Sequence, residues 1–287
     1  MMVAMHDSDT TGFSNLALMK LSAWHRQRGD SVCWFSPLFD TSDKVYSSRV
    51  FTWTADDPYL PECTERGGSG YGLSNWLPDE IEHTCPDYDL YGIDYSMGFL
   101  TRGCPRQCAY CIVPDKEGDI RAHADIDEFL RHGTVILMDN NVLACDHGIE
   151  QIDKLAGLGV KVDFNQGLDA RLIDSAIARK LAALRWVRFI RLACDSQAQK
   201  QPVERAINNL RAAGYSGGIF CYVLVRDVND AHERVEFLRG LKVDPFAQPF
   251  RDPNGTPPSR EQRRFARWVN HKAIFKTVKW NEYRTDM

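Results

Sequence analysis

The chain has 287 residues, 44% of them hydrophobic and 26% charged, with a formal net charge of −4. That length and composition suit one or two globular domains with a full core, and no apolar run approaches the ~18 residues of a membrane span. The nine cysteines are an odd number and mostly scattered, which argues against a secreted disulfide framework and for a reducing cytoplasm.

The first ten residues hold His6, Asp7 and Asp9 and lack a basic segment, so they do not read as a signal peptide. Extended runs at 3–5 and 31–35 flank a helical stretch over 16–26, which predicts a small β-α-β unit. A second extended segment covers 44–53. An irregular stretch follows over 56–94, rich in Pro, Gly and acids, and it includes Arg66-Gly67-Gly68-Ser69-Gly70. Residues 1–96 carry 6 basic and 15 acidic side chains, a net of −9, whereas 259–287 carry 8 basic and 3 acidic, a net of +5. Asymmetry of this kind fits contact with nucleic acid or an acidic partner.

From residue 97 onward, short β-rich runs alternate with helical patterns. The expected strands are 97–101, 134–139, 160–165, 187–193, 218–225 and 243–250, spaced at about the length of a βα unit. Between them, Leu172, Ala176, Leu181 and Leu184 mark one apolar helix face. Val203, Ile207, Leu210 and Ala213 mark another, stopped by Gly214. Asp230-Ala231-His232-Glu233 predicts a helix start and Gly240 its stop, while Ser259-Arg260-Glu261-Gln262 opens a last helix. Six parallel strands joined by helices imply an α/β fold with an open, partial (β/α)6 barrel. Reactive groups are then expected at the carboxyl ends of the strands. The expected division is a small N-terminal α/β segment over 1–95, the barrel over 96–255 and a basic aromatic extension over 256–287.

After the first strand comes Gly103-Cys104-Pro105-Arg106-Gln107-Cys108-Ala109-Tyr110-Cys111, a CxxxCxxC spacing. Zinc would want a fourth Cys or His at paired spacing, and a ferredoxin run would be CxxCxxC followed by CP; neither is present. Three thiolates on one loop can hold three corners of a 4Fe–4S cube and leave the fourth iron open. The spacing, with an aromatic before the last cysteine, resembles the radical S-adenosylmethionine (radical SAM) superfamily over roughly residues 90–255.

The resemblance implies that Cys104, Cys108 and Cys111 ligate a 4Fe–4S cluster and that S-adenosyl-L-methionine (SAM) chelates the open iron. One electron, from a donor such as flavodoxin or ferredoxin, then cleaves SAM to a 5′-deoxyadenosyl radical that abstracts a hydrogen atom. It also implies that Tyr110 lies against the adenine of SAM. Where the family has a Gly-Gly-Glu-like segment, this chain has Met138-Asp139-Asn140-Asn141, so Asp139 and Asn140 are candidates for the SAM amino group. Gln166 and Asp169 follow the third strand and could reach SAM or substrate, with Asp169 equally placed to cap the next helix. Arg191 on the fourth strand is the candidate for the SAM carboxylate. Arg226, Gln248 and Arg251 end the last two strands and are candidates for substrate binding. Some family members carry an N-terminal cobalamin domain, but the DxHxxG pattern is missing around His6, so cobalamin is not expected.

The segment 260–283 interleaves Arg263, Arg264, Arg267, Lys272, Lys276 and Lys279 with Phe265, Trp268, Phe275 and Trp280. This suits DNA or RNA, but it equally describes an amphipathic helix that closes the barrel, and the latter is favoured. The expected function is radical chemistry on a nucleic-acid base or a group attached to it, with transferase, isomerase and lyase outcomes all open. The alternatives are radical chemistry on a peptide or small molecule, or a non-catalytic iron–sulfur module that binds nucleic acid.

Overall fold

The computed structural model describes residues 1–39, 41–252 and 256–284. The boundary expected at residue 255 lies outside them.

The N-terminal region forms a parallel sheet from β1 (Met2–Asp7), β2 (Ser31–Trp34), β3 (Lys44–Ser48) and β4 (Glu65–Gly67), in the order β2-β1-β3-β4. Between β1 and β2 runs α1 (Leu16–Gln27), capped by the Asn15 side chain, which accepts from the Leu18 amide. Val3 and Met5 of β1 pack against Leu18 and Leu21 of α1 and Ile81 of the short α2 (Asp79–Glu82). The expected β-α-β unit is therefore present. The extended segment stops at Ser48 rather than 53, and the irregular stretch supplies β4.

The rest of the chain is mixed α/β with parallel sheets. One sheet takes β5 (Ser96–Gly98), β8 (Thr134–Leu137), β9 (Lys161–Phe164) and the two-residue β10 (Arg185–Trp186). The other takes β11 (Phe189–Ala193), β12 (Gly218–Val225) and β13 (Asp244–Pro249). Their spatial orders are β10-β9-β8-β5 and β11-β12-β13, all parallel. A parallel bridge between Leu168 and Leu192 joins the sheets past the end of β9. The first expected strand ends at Gly98 instead of 101, because β6 (Thr101–Arg102) turns away to pair antiparallel with β7 (Arg121–Ala122). That hairpin encloses the cysteine loop and the short α3 (Val113–Glu117).

The connecting helices are α4 (Asp146–Leu158), α5 (Ser175–Ala183), α6 (Lys200–Ala212) and α7 (Val228–Gly240), followed by α8 (Arg260–Asn270) and α9 (Lys272–Thr277). Two helix starts differ from expectation. Leu172 lies in a single 3-10 turn, and α5 begins at Ser175 because Asp174 accepts from the Ala176 and Ile177 amides. In the same way α7 begins at Val228, where Asp227 is the cap and accepts from the Asp230 amide. Strand alternation divides the faces. In β12, Ile219, Cys221, Val223 and Val225 are buried in the main core, while Phe220, Tyr222 and Leu224 lie on the half-covered face. Phe265, Trp268 and Val269 of α8 belong to that same core, and Asn270 closes the edge of β13 through two bonds to the Ala247 backbone. The aromatics of the C-terminal segment are thus packing residues, as the amphipathic reading expects. None of the helices described is long and apolar enough to cross a membrane.

Candidate functional site

The cysteine loop leaves the carboxyl end of the first sheet through a fixed backbone. Gly103 has φ +82°, and a side chain there would meet the Asp119 carbonyl at 2.1 Å. Its amide donates to Glu117 Oε2 (2.9 Å), and the Cys104 amide donates to the Gly118 carbonyl (3.1 Å), so both ends of the loop are tied. Cys104, Cys108 and Cys111 are free thiols, all partly exposed. Within the loop the Cys111 amide bonds the Cys108 carbonyl (2.9 Å), and the Val113 amide reaches Cys111 Sγ (3.5 Å). Burial, with the other two cysteines close by, pushes the Cys111 thiol up. A bound cation would reverse that balance by stabilising thiolates. Among the described residues no three His, Cys, Asp or Glu side chains close on a single metal ion.

Polar side chains from the neighbouring strand ends converge on this loop. Asn141, 3% exposed, donates to Cys104 Sγ (3.5 Å) and to Asp169 Oδ2 (3.3 Å), and its own Oδ1 is buried without a partner among the described residues. Asn140 donates to Glu117 Oε2 (2.9 Å). Asp169 accepts from Arg106 inside the cysteine motif (3.0 Å) and from Arg171 (2.6 and 3.0 Å), and it also takes the Arg171 amide as a cap. Burial works against the Asp169 carboxylate, but Arg171 and Arg106 outweigh it and hold its pKa below the ordinary aspartate value. Arg171 also feels the charge of Cys108 and Cys104.

Tyr110 lies beside Asp195 and Cys108, and burial raises its phenol most. Asp195 is itself pushed up by burial while it accepts from the Leu224 amide (2.8 Å). The Arg226 guanidinium lies 6.0 Å from the Tyr110 ring centroid. The structure therefore assembles Cys104, Cys108, Cys111, Tyr110, Asn140, Asp169 and Arg226 around one loop.

Other candidates stand elsewhere. Asp139 does not face this cluster. It is 2% exposed and accepts from the Thr101 amide (2.6 Å), the Thr101 hydroxyl (2.7 Å) and the Leu100 amide (3.1 Å). Arg191 is ion-paired with Asp163 and reaches Asn165 Oδ1 (3.3 Å), so on the half-covered face its charge is already matched. Gln166 and Gln248 are exposed at strand ends, and Arg251 lies over the Trp53 ring of the N-terminal region at 4.4 Å. Arg106 and Glu117 were not anticipated from sequence. Arg106 was nevertheless inside the motif, and Glu117 immediately precedes the Gly118 that closes the loop.

Comparison of the chain with family models and with curated proteins finds no match.

Proposed function

We propose that the chain is a radical SAM enzyme that holds a 4Fe–4S cluster on Cys104, Cys108 and Cys111. The observation that carries the reading is the three-cysteine loop at the carboxyl end of a parallel strand, with N–H donors on two of its sulfurs and polar strand ends around it. N–H donation to sulfur is one of the means by which a protein tunes an iron–sulfur cluster. The strands β5, β8, β9, β11, β12 and β13 succeed one another in sequence order, which supports a partial (β/α)6 barrel with a break bridged at Leu168 and Leu192. Three thiols on one loop leave one corner of a cube without a protein ligand, as SAM chelation needs.

When bound, the cluster and SAM supply reductive cleavage of a sulfur–carbon bond and hydrogen-atom abstraction. The chain's own residues position and enclose. Asn141 holds Cys104 against Asp169, while Arg106 and Arg171 neutralise that acid beside the thiolates. Tyr110 offers a flat face for adenine. Asn140 remains a donor and acceptor at the end of β8 for the amino-acid part of SAM; Asp139 does not take that role here. Flavodoxin or ferredoxin is the proposed electron source. A substrate in nucleic acid no longer draws support from stacking by Phe265 and Trp268, which are fully buried.

The test is anaerobic cluster reconstitution followed by SAM and a strong reductant, with 5′-deoxyadenosine measured with and without DNA, RNA, nucleotides or peptide. Product is expected, and Cys104→Ala should abolish it together with the cluster's visible absorbance. No product under any condition, from protein carrying an intact cluster, would instead favour a non-catalytic iron–sulfur module.

A further inference from the structure

A cavity of about 770 Å³ lies between the N-terminal sheet and the first strands of the second region. That is the size range of small-molecule and cofactor sites. It runs along the sheet from Lys44 and Glu65, at the starts of β3 and β4, to the carboxyl ends of β1, β3 and β4, where open parallel sheets bind ligands. Asp7, Ser48 and Gly67, the last residues of those strands, all line it. On its far side stand Phe99, Met138 and Lys116. Lys116 belongs to α3, the turn of helix that follows Cys111, so one wall of the cavity continues from the cysteine loop.

Asp7, Asp9, Glu65, Glu80 and Glu82 also line the cavity, Asp7 held by the Tyr91 hydroxyl and Asp9 by Val50 and Thr54, so it is the end formed by Lys116 and the 66–69 turn that favours an anion. Lys116 is largely withdrawn from water, and its ammonium meets only the Ser69 hydroxyl (2.5 Å), with no carboxylate within ion-pair distance among the described residues. Arg66 also lines the cavity, and its side chain has no ion pair or hydrogen bond among the described residues. The other lining cations are already matched: Lys20 and Arg102 by Glu82, and Lys44 by Glu65. Between Arg66 and Ser69 runs a glycine-rich turn, and among the described residues the Gly68 and Ser69 amides have no acceptor. Successive free amides beside two unpaired cations make an anion seat. The apolar lining favours a flat ring. Trp76, 44% exposed, lines the cavity, whereas the Phe99 ring is covered by the Arg102 guanidinium at 3.8 Å and Phe51 stacks on Trp53.

We infer that this cavity binds a nucleoside monophosphate, with its phosphate on the Gly68–Ser69 turn, Lys116 and Arg66, and its base against the exposed ring of Trp76. A free nucleotide fits better than a strand of nucleic acid, because residues 1–96 carry 6 basic and 15 acidic side chains, and a net charge of −9 repels a polyanion. The inference rests on the proposed radical function only in making this ligand the substrate; binding itself stands apart from it.

The experiment titrates the full-length protein with AMP, GMP, CMP and UMP, their nucleosides, inorganic phosphate and a single-stranded oligonucleotide. Saturating SAM is present to fill any adenosine site of its own, and binding is read by calorimetry. At least one monophosphate should bind, with its nucleoside and inorganic phosphate each weaker by roughly tenfold or more. Lys116→Met, which keeps the aliphatic stem, and Trp76→Ala should each weaken the nucleotide by about tenfold or more at unchanged thermal midpoint, and the exposed Arg66→Gln by less. Absence of binding by all four monophosphates, or binding unaffected by both Lys116→Met and Trp76→Ala, would overturn the site. An oligonucleotide that binds more tightly than any monophosphate would overturn the assignment to a free nucleotide. Formation of 5′-deoxyadenosine without nucleotide binding would sink this inference alone. Nucleotide binding without SAM cleavage under any condition would sink the enzyme proposal alone.

Discussion

Asp139 was expected at the ligand and is found instead at the root of the cysteine loop, holding the backbone of Leu100 and Thr101. Removing its carboxyl strands two buried amides and a buried hydroxyl, so Asp139→Ala should cost about 3 kcal/mol in denaturant unfolding. Asp139→Asn should cost less, because its carbonyl can still accept. Burial raises the Asp139 carboxyl from 3.8 to about 6, against the pull of its three donors. The folded protein therefore binds more protons than the unfolded chain between 3.8 and about 6, and this group's contribution to stability grows as pH falls through that window. Above it the ionised carboxylate lowers stability by at most about 3 kcal/mol. Comparing wild type with Asp139→Asn from pH 4 to 7 should show wild type gaining relative stability on the acid side; a flat difference would place the proton elsewhere.

At the scale of elements, the cysteine loop is a strap held at both ends by Glu117 and Gly118. Gly103 is where the strap bends, with a positive φ and a carbonyl in the place of any side chain. Gly103→Ala should leave the secondary structure intact by circular dichroism, yet sharply lower the iron and sulfide retained after reconstitution, since the loop must shift to admit a methyl. Retention equal to wild type would mean that the strap tolerates the shift. The elements themselves were legible in the sequence to different degrees. The run 218–225 is continuously apolar and β-rich after Gly218 and coincides with β12 to the residue, and the Ser259 cap of α8 closes its capping box as expected. The helix starts at Ser175 and Val228 differ from expectation because two carboxylates stand near each: Asp169 caps only a 3-10 turn and Asp174 opens α5, while Asp227 rather than Asp230 turns toward the free amides of α7. Cys104, Cys108, Cys111 and Asp169 were readable because their chemistry is local to a motif or a turn. Asn141 enters the sequence reading only as the end of the segment Met138-Asp139-Asn140-Asn141, and nothing local to Arg106 or Lys116 points to their contacts. Their roles come from contacts with residues far away in sequence.

At the scale of the molecule, the half-buried Glu82 fastens the N-terminal region to the base of the cysteine loop, alongside the Lys116–Ser69 bond. Glu82 lies 3.0 Å from Lys20 on α1, 3.3 Å from Arg102 immediately before Gly103, and 3.2 Å from His123 beyond β7. Arg102 passes the connection on to Glu117, whose other oxygen holds Gly103 and Asn140. Burial pushes the Glu82 carboxyl up, but His123, Lys20 and Arg102 outweigh it and bring its pKa down from 4.5 to about 2. Because the folded pKa lies below the unfolded one, the stabilisation is fully present above 4.5 and is lost as pH falls through about 2. Its upper bound is about 3 kcal/mol. Glu82→Ala leaves Lys20 buried without its partner and Arg102 with Glu117 alone, and should destabilise the neutral-pH protein by about 3–5 kcal/mol. Glu82→Gln should cost less at neutral pH and should flatten the loss of stability between pH 4.5 and 2, since no carboxylate remains to be protonated. Both variants should also loosen the cavity between the two regions and increase amide exchange in α1 and in the β6–β7 hairpin together. Exchange rising in only one of these would show that the regions are held by packing, and that Glu82 serves one side alone.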